Sequence, residues 1–593
     1  MTRTKQASRK PKSLAILGVN FSGADPNASL VIDDEIVAAV EEERFVREKH
    51  ASGQFPSRAI AYCLDLAAQR GRSIDYVAFG WDCPKYGDGR MARFFEQKLN
   101  GQYTIDEATR VWQSRMLKMF HPNRIKQQIR FCLKSHGLDR RALPPIRFLS
   151  HHLTHAAGAF LLSGFEESAV LTLDGSGDDL CTGLWMASDG RLRPQGAMHM
   201  PHSLGWFYAA ITEYLGFQAY DGEYKVMGLA PYGRPDPQLA AQLAQVLMVL
   251  HNGDLTYRLD PSFIHYGLHS YSGRFTDKLV KLLGRPPRPP ESDPSAFHKR
   301  VAFEAQALLD RCGIALAHRV TVDAGCRKLC LAGGAAMNGK MAQRLLESPW
   351  VDDLFVLPNP GDGGQSLSAA VFLAHRLGGQ RPQRLRSIAL GPSFTDPQIK
   401  RFLDQNQIRH TYEKDLCGRA AADLAAGRIL GWFQGRMEFG PRALGHRSIL
   451  ADPRVVSSRD KVNSVVKFRE YWRPFSPSLL ASAASAFFDV QPSDAPFMTI
   501  TLPVRFSRRR QIPAVVHKDG TARPQFVHRD TDPVFHDLIR CFASMTGIPV
   551  LLNTSFNVKG EPIVCTPQEA VERFFSSGMD VLYLGSYRVD KGR

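Results

Sequence analysis

The sequence predicts an α/β protein: a strand-and-hairpin unit that occurs twice, followed by a second α/β unit at the C-terminus. Three observations predict it. LAILGVN, ASLVID and EIVAAVEEER read as three consecutive strands, the last pair turning at Asp33-Asp34, and AVLTLDGSGD, TGLWMAS and RLRPQGA repeat that pattern with a turn at Asp189-Gly190. Two strand–glycine turn–helix passages then follow, KLCLAGGAAMNGKMAQRLLE and the stretch through residues 360–366. Beyond a linker-like segment at 377–394, the strands RILGWFQG, GIPVLLNTSFN and DVLYLGSYRV and a helix at PQEAVERFFSSG are expected.

A strand ending in Asp or Asn and leading into a hairpin, twice over, is how a duplicated actin-like ATPase core reads; a chance pair of meanders is the alternative. Between the hairpins a helical region is expected from about residue 57 to 128, with the strand-like DYVAFG inside it. After the second hairpin, SLGWFYAAITEYLG reads as helix, DGEYKVMGLAPYGRP as a loop into helix, and residues 297–325 show sustained helical periodicity.

With 593 residues the chain exceeds one hydrophobic core. Its 44% hydrophobic and 22% charged residues suit an ordinary globular protein. No apolar run is long enough to span a bilayer. The N-terminal MTRTKQASRKPKS is basic and lacks the apolar segment of a secretory signal, so residues 1–13 read as a disordered tail. Ten scattered cysteines without a CxxC pair suit reduced thiols, hence a cytoplasmic location. The net charge of +17 is dispersed rather than gathered into one lysine-rich run, which favours phosphate-bearing small molecules over nucleic acid.

Three groups of residues carry chemistry. If residues 151–164 are helical, His151 and His155 share one face, and Asp174 at the end of a strand could close the same site. Imidazole and carboxylate together suit iron, manganese or zinc; a core-facing stripe is the plain alternative. Gly333, Gly334 and Asn338, then Asp362 in the second glycine turn, would let a ligand's phosphate approach a helix N-terminus, and with Lys225 they suggest a nucleotide cleft. Asp362 could also join the His151/His155/Asp174 metal. In the C-terminal unit Arg442, His446 and Arg447 lie among glycines, followed by Lys467, Arg469, Arg473, Arg523, Asn553, Ser555 and Asn557. Arginine beside a Gly- or Pro-fixed backbone is suited to clasp phosphates, a surface charge run being the alternative.

The blocks ILGVN, AVEEERFVREKH, HHLTHA, LTLDGSGD, KVMGLAPYG, FGPRALGHRSILADPR, FREYWRPFSPS and LNTSFNVKGEPIV resemble the ATP-dependent O-carbamoyltransferases, which decorate antibiotics, nodulation factors and similar metabolites, over nearly the whole chain. The resemblance implies an actin-like carbamoyl-transfer domain at 14–385 and, at 386–593, a carbamoyl-adenylate-forming domain of threonylcarbamoyl-adenylate-synthase type. Carbamoyl phosphate and ATP would give carbamoyl-adenylate and pyrophosphate in the second domain, and the first would pass the carbamoyl group to a hydroxylated small-molecule acceptor. Carried over by motif, His151, His155, Asp174 and Asp362 hold Fe2+ or another divalent metal. Lys467, Arg473, Arg523 and Ser555 meet carbamoyl phosphate and ATP, with Arg442, His446, Arg447 and Asn553 beside them; Mg2+ accompanying ATP is compatible with this set.

One departure stands out. The family usually has a His-Asp pair in the first hairpin, whose histidine would serve as base toward the acceptor. Here Ala24 takes the histidine's place and Asp25 keeps the acid. Either Asp25 or another residue is the base, the acceptor needs none, or transfer is impaired. Rival readings are transfer to tRNA or protein, and an actin-like ATPase regulator without transfer. The acceptor and the oligomeric state, a homo-oligomer included, are not legible.

Overall fold

The computed structural model describes residues 13–21, 23–250, 256–265, 273–489 and 492–591. Residues 1–12 of the expected basic tail lie outside them.

Two five-stranded sheets repeat one topology. In the first, β1 (Ala15–Asn20), β2 (Asn27–Ile32) and β3 (Glu35–Glu41) form an antiparallel meander. β4 (Tyr76–Phe79) and β5 (Ile146–Phe148) add in parallel beyond β1, giving the order β3-β2-β1-β4-β5. In the second, β6 (Glu167–Gly177), β7 (Leu180–Ser188) and β8 (Arg191–His199) form the meander. β9 (Lys328–Ala332) and β10 (Asp353–Val356) add in parallel beyond β6, so the same order recurs as β8-β7-β6-β9-β10. A chance pair of meanders would not share its crossover strands as well, and the chain is a duplicated actin-like core. The hairpin turns match in detail. Asp33 and Asp34 (φ 48° and 72°) and Asp189 and Gly190 (φ 52° and 71°) are all left-handed, as the tightest hairpin turns require.

Between the sheets lie two helices, α1 (His151–Ser163) on β6 and β9 and, near the end of this unit, a helix at Gln365–Arg376 on β1 and β2. Each is buried on nearly every side, so neither shows a polar face. The helices touch where side chains are smallest, a Cβ at Gly158 falling 2.1 Å from Ser368 Oγ, and the second helix packs as tightly on β1, where a Cβ at Gly18 would lie 2.0 Å from the Ser366 carbonyl oxygen. That close packing brings the N-termini of both helices to one place. Further along, α2 (Leu204–Tyr214), α3 (Glu223–Leu229) and α4 (Ala296–Ala324) fulfil the helical expectations for those segments.

The C-terminal unit is built on an eight-stranded mixed sheet. Its strands are β11 (Thr411–Tyr412), β12 (Leu430–Phe433), β13 (Arg447–Ala451), β14 (Ser476–Leu480), β15 (Gln525–Val527), β16 (Val550–Ser555), β17 (Val581–Leu584) and β18 (Tyr587–Asp590). The order is β11-β18-β17-β12-β13-β16-β14-β15. DVLYLGSYRV, expected as one strand, is a hairpin instead. Gly585 turns left-handed (φ 52°) and donates its N–H to the Phe433 carbonyl, so β17 and β18 pair with each other.

Segment 377–394 holds one bridge, Ala389 to Glu438, and no helix among the described residues. Arginines lock the two units together: Arg44 donates to the Gly440 carbonyl at 2.7 Å, and Arg47 to the Ile563 and Pro562 carbonyls at 2.7 and 2.9 Å. Among the described residues no helix is long and apolar enough to cross a membrane.

Candidate active site

One continuous cavity of about 2370 Å³ opens between the units. Asp25, Asp174, Gly334 and Asp362 line it on the N-terminal side, and Arg442, Lys467, Arg473, Arg523, Asn553 and Ser555 on the C-terminal side.

His151 and His155 come from the first turns of α1, Asp174 from β6, and Asp362 from the turn that opens the Gln365–Arg376 helix. Asp362 is held through its backbone, whose carbonyl accepts from Asn20 Nδ2 at 3.0 Å and Asn27 Nδ2 at 2.9 Å. The Nε2 atoms of the two histidines are 3.1 Å apart. Asp174 Oδ2 lies 3.4 and 3.2 Å from them, and Asp362 Oδ1 3.3 and 3.7 Å. Bonds of about 2.1 Å to a tetrahedral metal place neighbouring donor atoms about 3.4 Å apart, so this quartet has the dimensions of a metal site. Its electrostatics agree. Burial alone would push His151 down, yet Asp362 and Asp174 hold it protonated up to about 10, and both carboxyls titrate below their usual range. The site calls for positive charge.

The glycine turns adjoin the quartet. Gly333 is left-handed (φ 89°), and a Cβ there would strike the Leu173 carbonyl oxygen at 2.1 Å, so only glycine lets this turn pass the end of β6. A Cβ on Gly334 would sit 3.1 Å from Asp174 Oδ1. Asn338 lines the cavity, but its side chain is engaged elsewhere. It caps the helix at Gly339–Leu346 by accepting from Met341 N, and it exchanges amide hydrogen bonds with Gln306. Lys225, on α3, pairs with Glu470 at 3.5 Å.

On the opposite wall five cations crowd together. Lys467, 4% exposed, donates to Asn557 Oδ1 at 2.7 Å, the Asn557 carbonyl at 2.9 Å and Ser555 Oγ at 3.2 Å. Arg523 reaches Ser476 Oγ at 3.4 Å, and Arg473 reaches Glu470 at 3.6 Å and covers the Tyr224 ring. Burial first, and then the neighbouring cations Arg442, Arg469 and Arg473, push Arg523 far down; burial with Arg469 and Arg473 does the same to Lys467. Burial likewise lowers Arg442 to about 10. Cations gathered at this density, Lys467 buried and the four arginines half-buried in the cavity wall, are built for anions. Asn553 fixes the floor, donating to the Ala443 carbonyl at 3.1 Å and Ser478 Oγ at 2.9 Å.

Two predicted residues of the C-terminal unit do not reach the cavity. Arg447 is fully buried and donates to the carbonyls of Gln434, His446, Pro392 and Gly435 at 2.7 to 3.2 Å while stacking on Phe433. Its guanidinium braces the glycine-rich loop. His446 faces away, toward Asp532 at 3.5 Å.

Sequence reasoning missed one cluster. Asp25 Oδ1 is 2.8 Å from His50 Nδ1, Asp25 Oδ2 accepts from Tyr220 OH at 3.0 Å, and His50 Nε2 faces Asp221 at 3.5 Å. Lys49 pairs with Asp221 as well. Burial would lower His50, but Asp25 and Asp221 outweigh it and raise the imidazole to about 10. His50 stood in the AVEEERFVREKH block, with nothing local to mark its partners.

The fold and site define a two-unit α/β enzyme with an actin-like core, a metal-type quartet and an anion cluster on one cavity. Comparison with known sequences places it more narrowly. The family pattern "Carbamoyltransferase N-terminus" matches residues 15–371 and "Carbamoyltransferase C-terminus" residues 421–591. Nodulation protein NolNO of Sinorhizobium fredii is 36% identical over 96% of this chain and 79% of its own length. Nodulation protein NolO of Bradyrhizobium diazoefficiens is 38% identical over 75% of this chain and 79% of its own. An uncharacterized protein of Synechocystis sp. is 37% identical over 97% and 96%. The chain belongs to the carbamoyltransferase family and is a transferase.

Proposed function

We propose that this transferase uses carbamoyl phosphate and ATP to form carbamoyl-adenylate, then passes the carbamoyl group to a hydroxyl of a small-molecule acceptor. One observation carries the reading: five clustered cations on one wall of a single cavity face Asp174 and Asp362, the two carboxylates of the His₂Asp₂ quartet, on the other. An ATPase switch has no use for the second cluster.

Mass balance sets the steps. Carbamoyl phosphate and water give carbamate and inorganic phosphate; a carbamate oxygen then attacks the α-phosphorus of ATP and pyrophosphate leaves. Lys467, Arg442, Arg469, Arg473 and Arg523 would neutralise the phosphates and the charge that grows on the leaving group, while the Ser555–Asn557 turn holds Lys467 in place. The carbamoyl-adenylate would reach the acceptor without leaving the cavity. His151, His155, Asp174 and Asp362 would hold Fe2+ or another divalent metal, which supplies Lewis-acid polarisation when bound. Gly334 keeps the adjoining wall bare of a side chain, and Gly333 lets the turn pass the end of β6, so that the adenylate can approach the backbone.

Incubation with ATP and carbamoyl phosphate tests this directly. AMP and pyrophosphate should appear together and only when both substrates are present. Turnover of ATP that ignores carbamoyl phosphate would sink the reading.

A further inference from the structure

Beside Ala24, where the resemblance would place an imidazole, the cavity wall carries one from another segment of the chain. We propose that Asp25 is the proton acceptor for the attacking hydroxyl and that His50, from the AVEEERFVREKH block, is its positioning residue. The proposal rests on the carbamoyl-transfer reading above.

Geometry supports it in three ways. First, Asp25, His50 and Tyr220 all have left-handed backbones (φ 52°, 63° and 73°), and all three meet at the Asp25 carboxylate. Positive φ is uncommon outside glycine, least so at Asp and His and most so at a bulky residue such as Tyr220, and three together collect where a group must be held in one orientation. Core packing does not explain it, because Tyr220 is 36% exposed. Second, the segments are tied together directly: Asp25 N donates to the His50 carbonyl at 3.0 Å, and Gly53 N to the Gly23 carbonyl at 3.2 Å. Third, Asn27 Nδ2 donates both to the Asp25 carbonyl at 2.6 Å and to the Asp362 carbonyl at 2.9 Å. One amide thus fixes the acid relative to the metal quartet.

The charges facing His50 are Asp25, Asp221, Glu43 and Lys49; Glu43 also accepts from His50 N at 2.7 Å. Lying between two carboxylates, the imidazole keeps its proton, donates from Nδ1 to Asp25 Oδ1, and leaves Oδ2 turned to the cavity where Tyr220 now donates. In the transfer step a bond forms between the acceptor oxygen and the carbamoyl carbon. The hydroxyl proton, acidified as that bond forms, passes to Asp25 Oδ2. The bond from the carbamoyl carbon to the phosphate oxygen breaks, and AMP leaves with the electron pair.

Two probes separate a base from a structural role. Glycerol is an alcohol and must lose a proton; hydroxylamine is an unprotonated nucleophile at neutral pH and attacks without a base. Wild-type enzyme given ATP and carbamoyl phosphate should carbamoylate both. In Asp25→Asn the ratio of glycerol to hydroxylamine product should fall at least about 10²-fold, and His50→Gln should lower it in the same direction. Hydroxylamine product also reports that each variant is folded. An unchanged ratio in both variants, loss of both products together, or a wild type active only with hydroxylamine overturns the proposal. So does a second equivalent of bound metal that His50→Gln removes, since Asp25, Glu43 and His50 would then be ligands. Absence of pyrophosphate release in the wild type overturns instead the reading beneath it.

Discussion

Nε2 of His151 and Nε2 of His155 stand 3.1 Å apart, with a carboxylate oxygen on either side. Two imidazoles are brought this close, in a fully buried position, when a positive charge is to be shared between them. His151→Ala and His155→Ala should each strip the purified protein of bound metal, because one of four donors is gone. Elemental analysis decides it. A full metal complement in either variant returns the pair to an ordinary core stripe.

Lys467 and Arg473 lie on the far wall, and their loss should act on the other half-reaction. Lys467→Ala or Arg473→Ala should slow carbamoyl-phosphate-dependent pyrophosphate release by about 10²–10³, the usual cost of one donor to a developing oxyanion. Normal release in both variants would show that the cations serve some other anion.

What was legible in the sequence follows from how local each signal is. The two meanders could be read because alternation and the turns at Asp33-Asp34 and Asp189-Gly190 are nearest-neighbour properties. The same is true of His151 and His155, four apart on α1. The Asp25–His50 contact was not legible: it spans 25 positions and needs Asp221 and Tyr220 from a third segment, with left-handed backbones at Asp25, His50 and Tyr220 that no local pattern marks. Arg447 misled for a related reason. Composition marks an arginine among glycines but not the direction of its side chain, and here the strand β13 turns it into the core.

That inward placement makes a prediction of its own. Arg447→Lys keeps the charge, yet one ammonium cannot satisfy carbonyls of Gln434, Gly435, His446 and Pro392 at once. Stability should fall by on the order of 1–3 kcal/mol for the carbonyls left unpaired, while KM for ATP in the folded enzyme stays put. Urea denaturation with parallel kinetics checks both. A raised KM at unchanged stability would instead put Arg447 on a phosphate.

The cation cluster should also make the empty protein less stable than it could be. For a base whose pKa is lowered by folding, the charged form is the one that folding disfavours. The cost is fully present below the folded pKa and is relieved only as pH rises toward the unfolded value. Arg442, lowered to about 10, therefore carries its whole cost at neutral pH, and Arg523 and Lys467 are shifted in the same direction. Bound polyphosphate cancels that cost. ATP or pyrophosphate should raise the thermal midpoint well beyond chloride at matched ionic strength, by the equivalent of about 2.7 kcal/mol at a hundredfold excess over Kd. Arg523→Met removes one of the repelling charges, so it should raise the midpoint of the ligand-free protein and shrink the shift that ATP produces. If Arg523→Met lowers the ligand-free midpoint and leaves the ATP shift intact, the cluster is a structural network rather than an anion site.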